Sequence, residues 1–171
     1  MVTATPLIGS AAVTVPVTVQ TRTALSPDDA FRIILPIDLS LVFTGWGPFP
    51  AVRGVRNQTG AWDAAGQSRS PALSDGSTAS EQLTECTAPH SFAYELTGFT
   101  NAVRHLVSGV RGEWTFTPDG DGAVIRWTYE FAPLPRRHFV VRRVVAPLWR
   151  RYMIRGVESS ARVAEEIAQR A

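Results

Sequence analysis

The chain has 171 residues, of which 44% are hydrophobic and 19% charged, and a formal net charge of +2 at pH 7. That balance fits one folded domain able to bury its own core, and it excludes disordered and collagen-like classes. The single cysteine, Cys86, cannot form an internal bridge, and His90, His105 and His138 are too scattered for a structural zinc site, so neither metal nor cofactor is expected and a reducing, cytoplasmic setting is.

Residues 1–12 contain Pro6 and Gly9 and lack both a basic leader and a long apolar run, so they read as a flexible tail preceding one domain over 13–171. From Val13 to Ala24 apolar and polar residues alternate, with Val15, Val17 and Val19 on one side, and this predicts a first strand that Pro16 places at an edge or a strand start. Ser26-Pro27-Asp28-Asp29 is a helix start: a capping serine, proline at the first helical position and two carboxylates facing the positive end of the dipole. The helix runs through Phe31 and Ile34 to Pro36, and a second short helix covers Ile37 to Phe43. The Gly- and Pro-rich loop Thr44–Pro50, carrying Trp46 and Phe49, comes next.

Strand two is predicted over Val52–Thr59 and strand three over Gln67–Ser74. Asp75-Gly76 is a hairpin signal that returns the chain as strand four, Thr78–Thr87, and Ala88-Pro89-His90 turns it into strand five, Ser91–Thr97. The segment Gly98–Leu106 has no clear period and reads as a loop or a bulged extension. Strand six covers Ser108–Thr117, the turn Pro118–Gly122 reverses it, and strand seven covers Ala123–Phe131. A long helix is predicted from about Pro135 to the C-terminus, with Val141, Val145, Leu148, Tyr152, Val157, Ala161, Ala164 and Ile167 as its apolar stripe. Pro147 should kink or break it. The arginines crowded on this helix read as a solvated outer face rather than a nucleic-acid stripe, because they come in pairs beside that stripe. No run of 18 or more apolar residues occurs, so no membrane-spanning helix is expected.

Strand seven places Ile125, Trp127, Tyr129 and Phe131 on one face, and strand six places Val110, Gly112, Trp114 and Phe116 on one face, so large aromatics should line the concave side of the sheet. The order strand, two short helices, six antiparallel strands and a long terminal helix resembles the START/Bet v 1-like (SRPBCC) helix-grip superfamily. Its polyketide cyclase/dehydrase-like bacterial branch is similar in the blocks Gly66-Gln67-Ser68-Arg69, Leu73-Ser74-Asp75-Gly76, Glu81-Gln82-Leu83, Tyr94–Phe99, Gly112–Phe116, Trp127–Phe131 and Leu148–Met153. The resemblance implies an α+β helix-grip fold, in which a seven-stranded curved antiparallel sheet wraps around a long C-terminal helix and two short helices lie between strands one and two. It implies an internal cavity for a hydrophobic or amphipathic small molecule such as a lipid or polyketide. On that basis Arg69, Glu81 and Tyr94 look like the polar cavity positions of related proteins.

Each candidate also has a plainer reading. Arg69 could hold a ligand's carboxylate or oxygen and Glu81 could act as a base, or the two could pair across strands on the outer surface. Tyr94, Tyr129 and Tyr152 could offer hydroxyls to a ligand or simply pack in the core. Trp114 and Trp127 should form the cavity wall, stacking on a planar ligand or packing as core. Trp46 and Phe49 sit in a loop that either gates the cavity mouth or tucks over the core. Neither a fixed partner for His105 nor a nucleophile-elbow pattern is present, which argues against hydrolase chemistry. Three functions remain open: a carrier that binds and sequesters its ligand, a polyketide cyclase or dehydrase, and a protein-interaction module. The partner implied is a small hydrophobic ligand, with neither nucleic acid nor integral membrane association.

Overall fold

In the computed structural model, which describes residues 2, 3, 8 and 13–170, the period-two segments are strands and the C-terminal apolar stripe is helical. A two-residue strand, β1 (Val2–Thr3), comes before those expected. Strand one of the sequence pattern is β2 (Val15–Thr23), whose Val15, Val17 and Val19 are buried while Pro16 and Thr18 between them are exposed. Strands two to seven are β3 (Val52–Arg56), β4 (Ser68–Leu73), β5 (Ser80–Thr87), β6 (Ser91–Thr97), β7 (Val107–Asp119) and β8 (Gly122–Pro133). These seven are antiparallel to their neighbours, in the order β2-β8-β7-β6-β5-β4-β3. Pro16, whose missing N–H would interrupt an inner ladder, therefore lies on an edge strand as its chemistry requires.

Of the N-terminal residues expected to form a loose tail, 1, 4–7 and 9–12 lie outside the described residues. β1 pairs antiparallel with β5, and Ile8 is buried with its N–H donating to Glu95 Oε2 at 3.0 Å. Strand two ends three residues earlier than expected because Asn57 adopts a positive φ of 52°, which leaves the extended region. The aperiodic stretch after β6 holds a 3₁₀ turn, Ala102–His105, capped by Asn101 Oδ1, which accepts from Val103 N–H at 3.1 Å.

The helix start at Ser26 forms as its residues dictate: Ser26 Oγ accepts from Asp29 N–H at 3.1 Å and leads into α1 (Pro27–Ile34), which buries Ala30, Phe31 and Ile34. A single turn, α2 (Leu39–Val42), is capped by Asp38. The long terminal helix is continuous but not uniform. A short α3 (His138–Val140) passes into a π turn, Val141–Val145, and then into α4 (Ala146–Ala168). The proline explains the insertion. Pro147 has no N–H to donate and its ring crowds the carbonyl one turn back, and the wide turn, closed by Ala146 N–H on Val141 carbonyl, admits it without ending the helix. The apolar stripe holds at Val141, Tyr152, Val157, Ala161 and Ala164, with Val145 partly buried against the core; Leu148, expected inside, is only half-buried, and its neighbours Ala146 and Trp149 face inward instead. Ile167, expected inside, is 40% exposed, because Glu165 is tied to Thr23 Oγ1 (2.6 Å) and Ala24 N–H (3.0 Å) at the end of β2 and the next turn projects past the strand.

Candidate ligand-binding cavity

The concave face of β6 to β8 carries an aromatic ladder. Phe92 stacks on Trp114 at 5.9 Å, Trp114 on Trp127 at 5.0 Å, and Trp127 meets Tyr129 edge-on at 5.7 Å. Alternation places these residues inward, and the antiparallel pairing Trp114↔Trp127 sets them side by side. Across the gap, α4 brings Trp149 and Tyr152, whose rings stack at 4.6 Å, against Tyr129 and Phe49. Rings this large cannot close the space between a curved sheet and a straight helix. A hollow of about 150 Å³ remains, walled by aromatic and aliphatic side chains from the helix, the concave strands and the loop after α2.

Polar groups in that wall are few. Glu81, Tyr94, Tyr129, Tyr152, Asn101 and the indole N–H groups of Trp127 and Trp149 supply them, and Glu81 is its one carboxylate. The Tyr94 hydroxyl accepts from Trp127 Nε1 at 3.0 Å. The Tyr129 and Tyr152 hydroxyls have no hydrogen-bond partner among the described residues, although both residues are more than nine-tenths buried. Glu81 gives Oε2 to Arg69 Nε at 2.5 Å, and its second oxygen makes no hydrogen bond among the described residues. A second hollow of about 50 Å³ lies behind, between Arg69, Phe92, Trp114 and Ser160. Leu39, Phe43, Glu81 and Tyr94 border both hollows and form the partition between them.

Burial raises the pKa of all three tyrosines above the ordinary phenol value near 10, and at Tyr94 the nearby Glu81 charge adds to it. For Tyr129 the neighbouring Tyr94 and Glu81 add to burial in the same direction. In an unfolded chain these phenols ionise near pH 10, whereas in the folded protein they resist. Their contribution to stability is therefore complete below pH 10 and is lost as pH rises beyond it toward the folded values. Because the chain has only these three tyrosines, phenolate absorbance should stay flat through pH 10 and rise together with loss of the circular dichroism signal. A tyrosine titrating reversibly near pH 10 in the folded protein would contradict the burial described.

Residues 14–165 match the family described as polyketide cyclase / dehydrase and lipid transport. The chain belongs to that family. No curated protein sequence matches it. Among solved structures, norcoclaurine synthase from Thalictrum flavum superposes with a TM-score of 0.67 at 15% identity, covering 97% of this chain and 97% of that one. The major latex-like protein 151 of Panax ginseng gives 0.64 at 13% identity over 88% of this chain and 97% of its own. XoxI from Bacillus cereus gives 0.61 at 13% identity over 90% and 97%. At these identities the likeness is one of fold, the curved sheet and long helix expected of a Bet v 1-like chain.

In this family member the structure gathers most of the sequence-predicted positions but not all. Glu81, Tyr94, Trp127, Tyr129 and Tyr152 line the main hollow. Arg69 reaches only the smaller one, and the Arg69–Glu81 pair is buried rather than set on the outer surface. Trp114, expected in the cavity wall, stands one rung back in the aromatic ladder and also borders only the smaller hollow. Trp46 is displaced altogether: the turn Trp46–Phe49 points Phe49 inward and leaves Trp46 outside, about 6 Å from the guanidinium groups of Arg151 and Arg155. His105 is exposed, as its isolation suggested.

Two side chains escaped the sequence reading. Trp149 lines the hollow from α4, and its position four residues after Val145 and three before Tyr152 was the available signal. Trp62, 1% exposed at a φ of 62°, lies with its ring 3.8 Å from the Arg69 guanidinium and seals the ion pair from solvent. No periodicity marks it, since it sits among Asn57, Gly60, Asp63 and Gly66.

Proposed function

We propose that the protein binds a small amphipathic molecule in the hollow between its sheet and α4, an aromatic ring bearing one or two oxygens being the best fit. The observation that carries this reading is an apolar hollow of about 150 Å³ into whose wall two unpartnered tyrosine hydroxyls and an unpartnered Glu81 oxygen are built. A fully packed core would leave no such space, and the buried Trp149 Nε1, a donor in the same wall without a partner among the described residues, costs stability that a ligand's oxygen would restore. An apolar cavity of about 150 Å³ takes a benzene-sized ring. The family description includes lipid transport and polyketide chemistry, and norcoclaurine synthase, on the same fold, is known in complex with dopamine and hydroxybenzaldehyde, two single-ring aromatics. A longer lipid or polyketide would need Phe49 and Pro50 to swing away from the hollow.

One observation favours a second reading, cyclisation or dehydration of the bound molecule. Glu81 is a carboxylate held by Arg69 with one oxygen left for a substrate, and Tyr94 stands beside it as a candidate proton donor. Tyr94→Phe, which keeps the Arg69–Glu81 pair, should then abolish turnover while leaving binding largely intact; Glu81→Gln should abolish it at a cost in stability, because it leaves Arg69 buried without its counter-charge.

Thermal-shift measurements against phenols, aryl ketones, fatty acids, sterols and polyketides distinguish these classes. A ligand at 100 times its Kd stabilises the folded state by about 2.7 kcal/mol. For a domain of this size that corresponds to roughly 5–10 °C in Tm. Single-ring aromatics bearing oxygen should give such shifts, and Tyr152→Phe should reduce them. The absence of a shift with every apolar compound would overturn the binding reading.

A further inference from the structure

We infer that the face formed by α3, the π turn and the start of α4 docks the protein on a bilayer surface rich in anionic lipid. From residue 131 to residue 157 the chain contains seven arginines and not one aspartate or glutamate. All seven are exposed, and none forms a salt bridge among the described residues. Further along α4 carboxylates return and the charge is balanced, Arg162 pairing with Glu166.

The same face carries apolar side chains that solvation does not explain. Phe139 is 71% exposed, Val144 52% and Val140 37%, while Val141 between them is fully buried. Arg143 lies over the Phe139 ring at 6.0 Å, so cation and aromatic form one unit on the surface. Large exposed apolar groups set among arginines suit the boundary between headgroups and acyl chains, where the ring enters the lipid and the guanidinium groups meet phosphate. Beside them a groove of about 600 Å³ runs between this helix and β2, bounded by His138, Arg142 and Arg150, which is a setting for an anionic headgroup. No helix among the described residues is long and apolar enough to cross a membrane, so the contact is peripheral.

The segment's inner side lines the hollow through Val145 and Trp149, so docking brings the helical wall of the hollow against the bilayer. The inference does not depend on the ligand reading, and the two fail separately: vesicle binding is measured with no added ligand, and the thermal shifts with no vesicles.

Co-sedimentation with vesicles of pure phosphatidylcholine and of equimolar phosphatidylcholine and phosphatidylglycerol tests it directly. The protein should pellet with the mixed vesicles at low salt, release as salt rises, and ignore the neutral ones. Arg142→Gln with Arg143→Gln should weaken partitioning about 25-fold, at roughly fivefold per arginine. Phe139→Ser should weaken it about tenfold. Because these side chains are exposed, the thermal midpoint of each variant should match the parent, which separates lost docking from lost folding. Equal partitioning to both vesicles, or partitioning unmoved by Phe139→Ser, would overturn the inference. So would capture by an RNA or DNA duplex that depends on the arginines but not on Phe139.

Discussion

Arg69→Met is expected to destabilise the protein by about 3–5 kcal/mol, the range for removing one partner of a buried ion pair. The side chains of Arg69 and Glu81 are 6% and 5% exposed, with Nε 2.5 Å from Oε2, so losing the guanidinium strands a carboxylate in an apolar setting. Trp62, whose ring packs 3.8 Å from that guanidinium, loses its partner as well. The double variant Arg69→Met with Glu81→Leu should recover most of the loss, because a well-packed apolar pair of similar volume carries no desolvation penalty. Denaturant unfolding of the two singles and the double completes the cycle. A cost below about 1 kcal/mol for Arg69→Met would mean that water in the hollow solvates Glu81, and the pair would then be a surface-like contact.

The second large effect is steric. A methyl group placed on Gly112 would run into the ring of Tyr94, which lies across the neighbouring strand where Tyr94 pairs with Gly112. Gly112→Ala must therefore push Tyr94 off β7, at about 1–3 kcal/mol for overpacking, plus about 1 kcal/mol for the Trp127 Nε1 to Tyr94 hydroxyl bond it would break. Displaced Tyr94 leaves the partition and moves into the hollows it separates, so ligand-induced thermal shifts should disappear even where the fold survives. Tyr94→Val should relieve the clash, and Gly112→Ala should then cost markedly less. A cost unchanged in that background would place the strain elsewhere, for example on Leu96 or Trp114 next along the strands.

The strand ladder was legible because its residues alternate cleanly and its turns carry Asp-Gly and Asp-Gly-Asp-Gly signals, which leave few competing registers. The Arg69–Glu81 pairing was legible in the same way. A hairpin centred on Asp75 puts those two residues opposite each other, as the observed register does. Which side of the sheet they face was harder, since charge argues for the outside. The structure decides it: Glu81 shares its face with Ala79 and Leu83, both buried. Trp46 and Phe49 were indistinguishable by composition, because loops have no period and only the backbone turn between them decides which ring goes in. Trp62 was hidden for a related reason: its burial depends on a left-handed backbone position that bulky residues rarely adopt. The arginines of the terminal helix are exposed as expected, but the exposure of Phe139 beside them depends on where the helix starts and on its π turn, neither of which propensity specifies.

The π turn at Val141–Val145 also separates two parts of the helix that would otherwise be geared together. One extra residue in a helical turn rotates the residues before it by about 100° relative to those after it. The phase of α4 is locked by Gly156, which sits so close to the sheet side that a methyl there would lie 2.6 Å from Phe43 and 3.3 Å from Trp127. The phase of His138–Val140 is not locked by α4 in this way. Deleting one residue inside the wide turn would leave the rings that α4 contributes in register, swing the preceding arginines and Phe139 to a different bearing, and carry the buried Val141 out of the core. The bearing of the outward face is thus set by how Val141 seats in the core, not by the packing of α4.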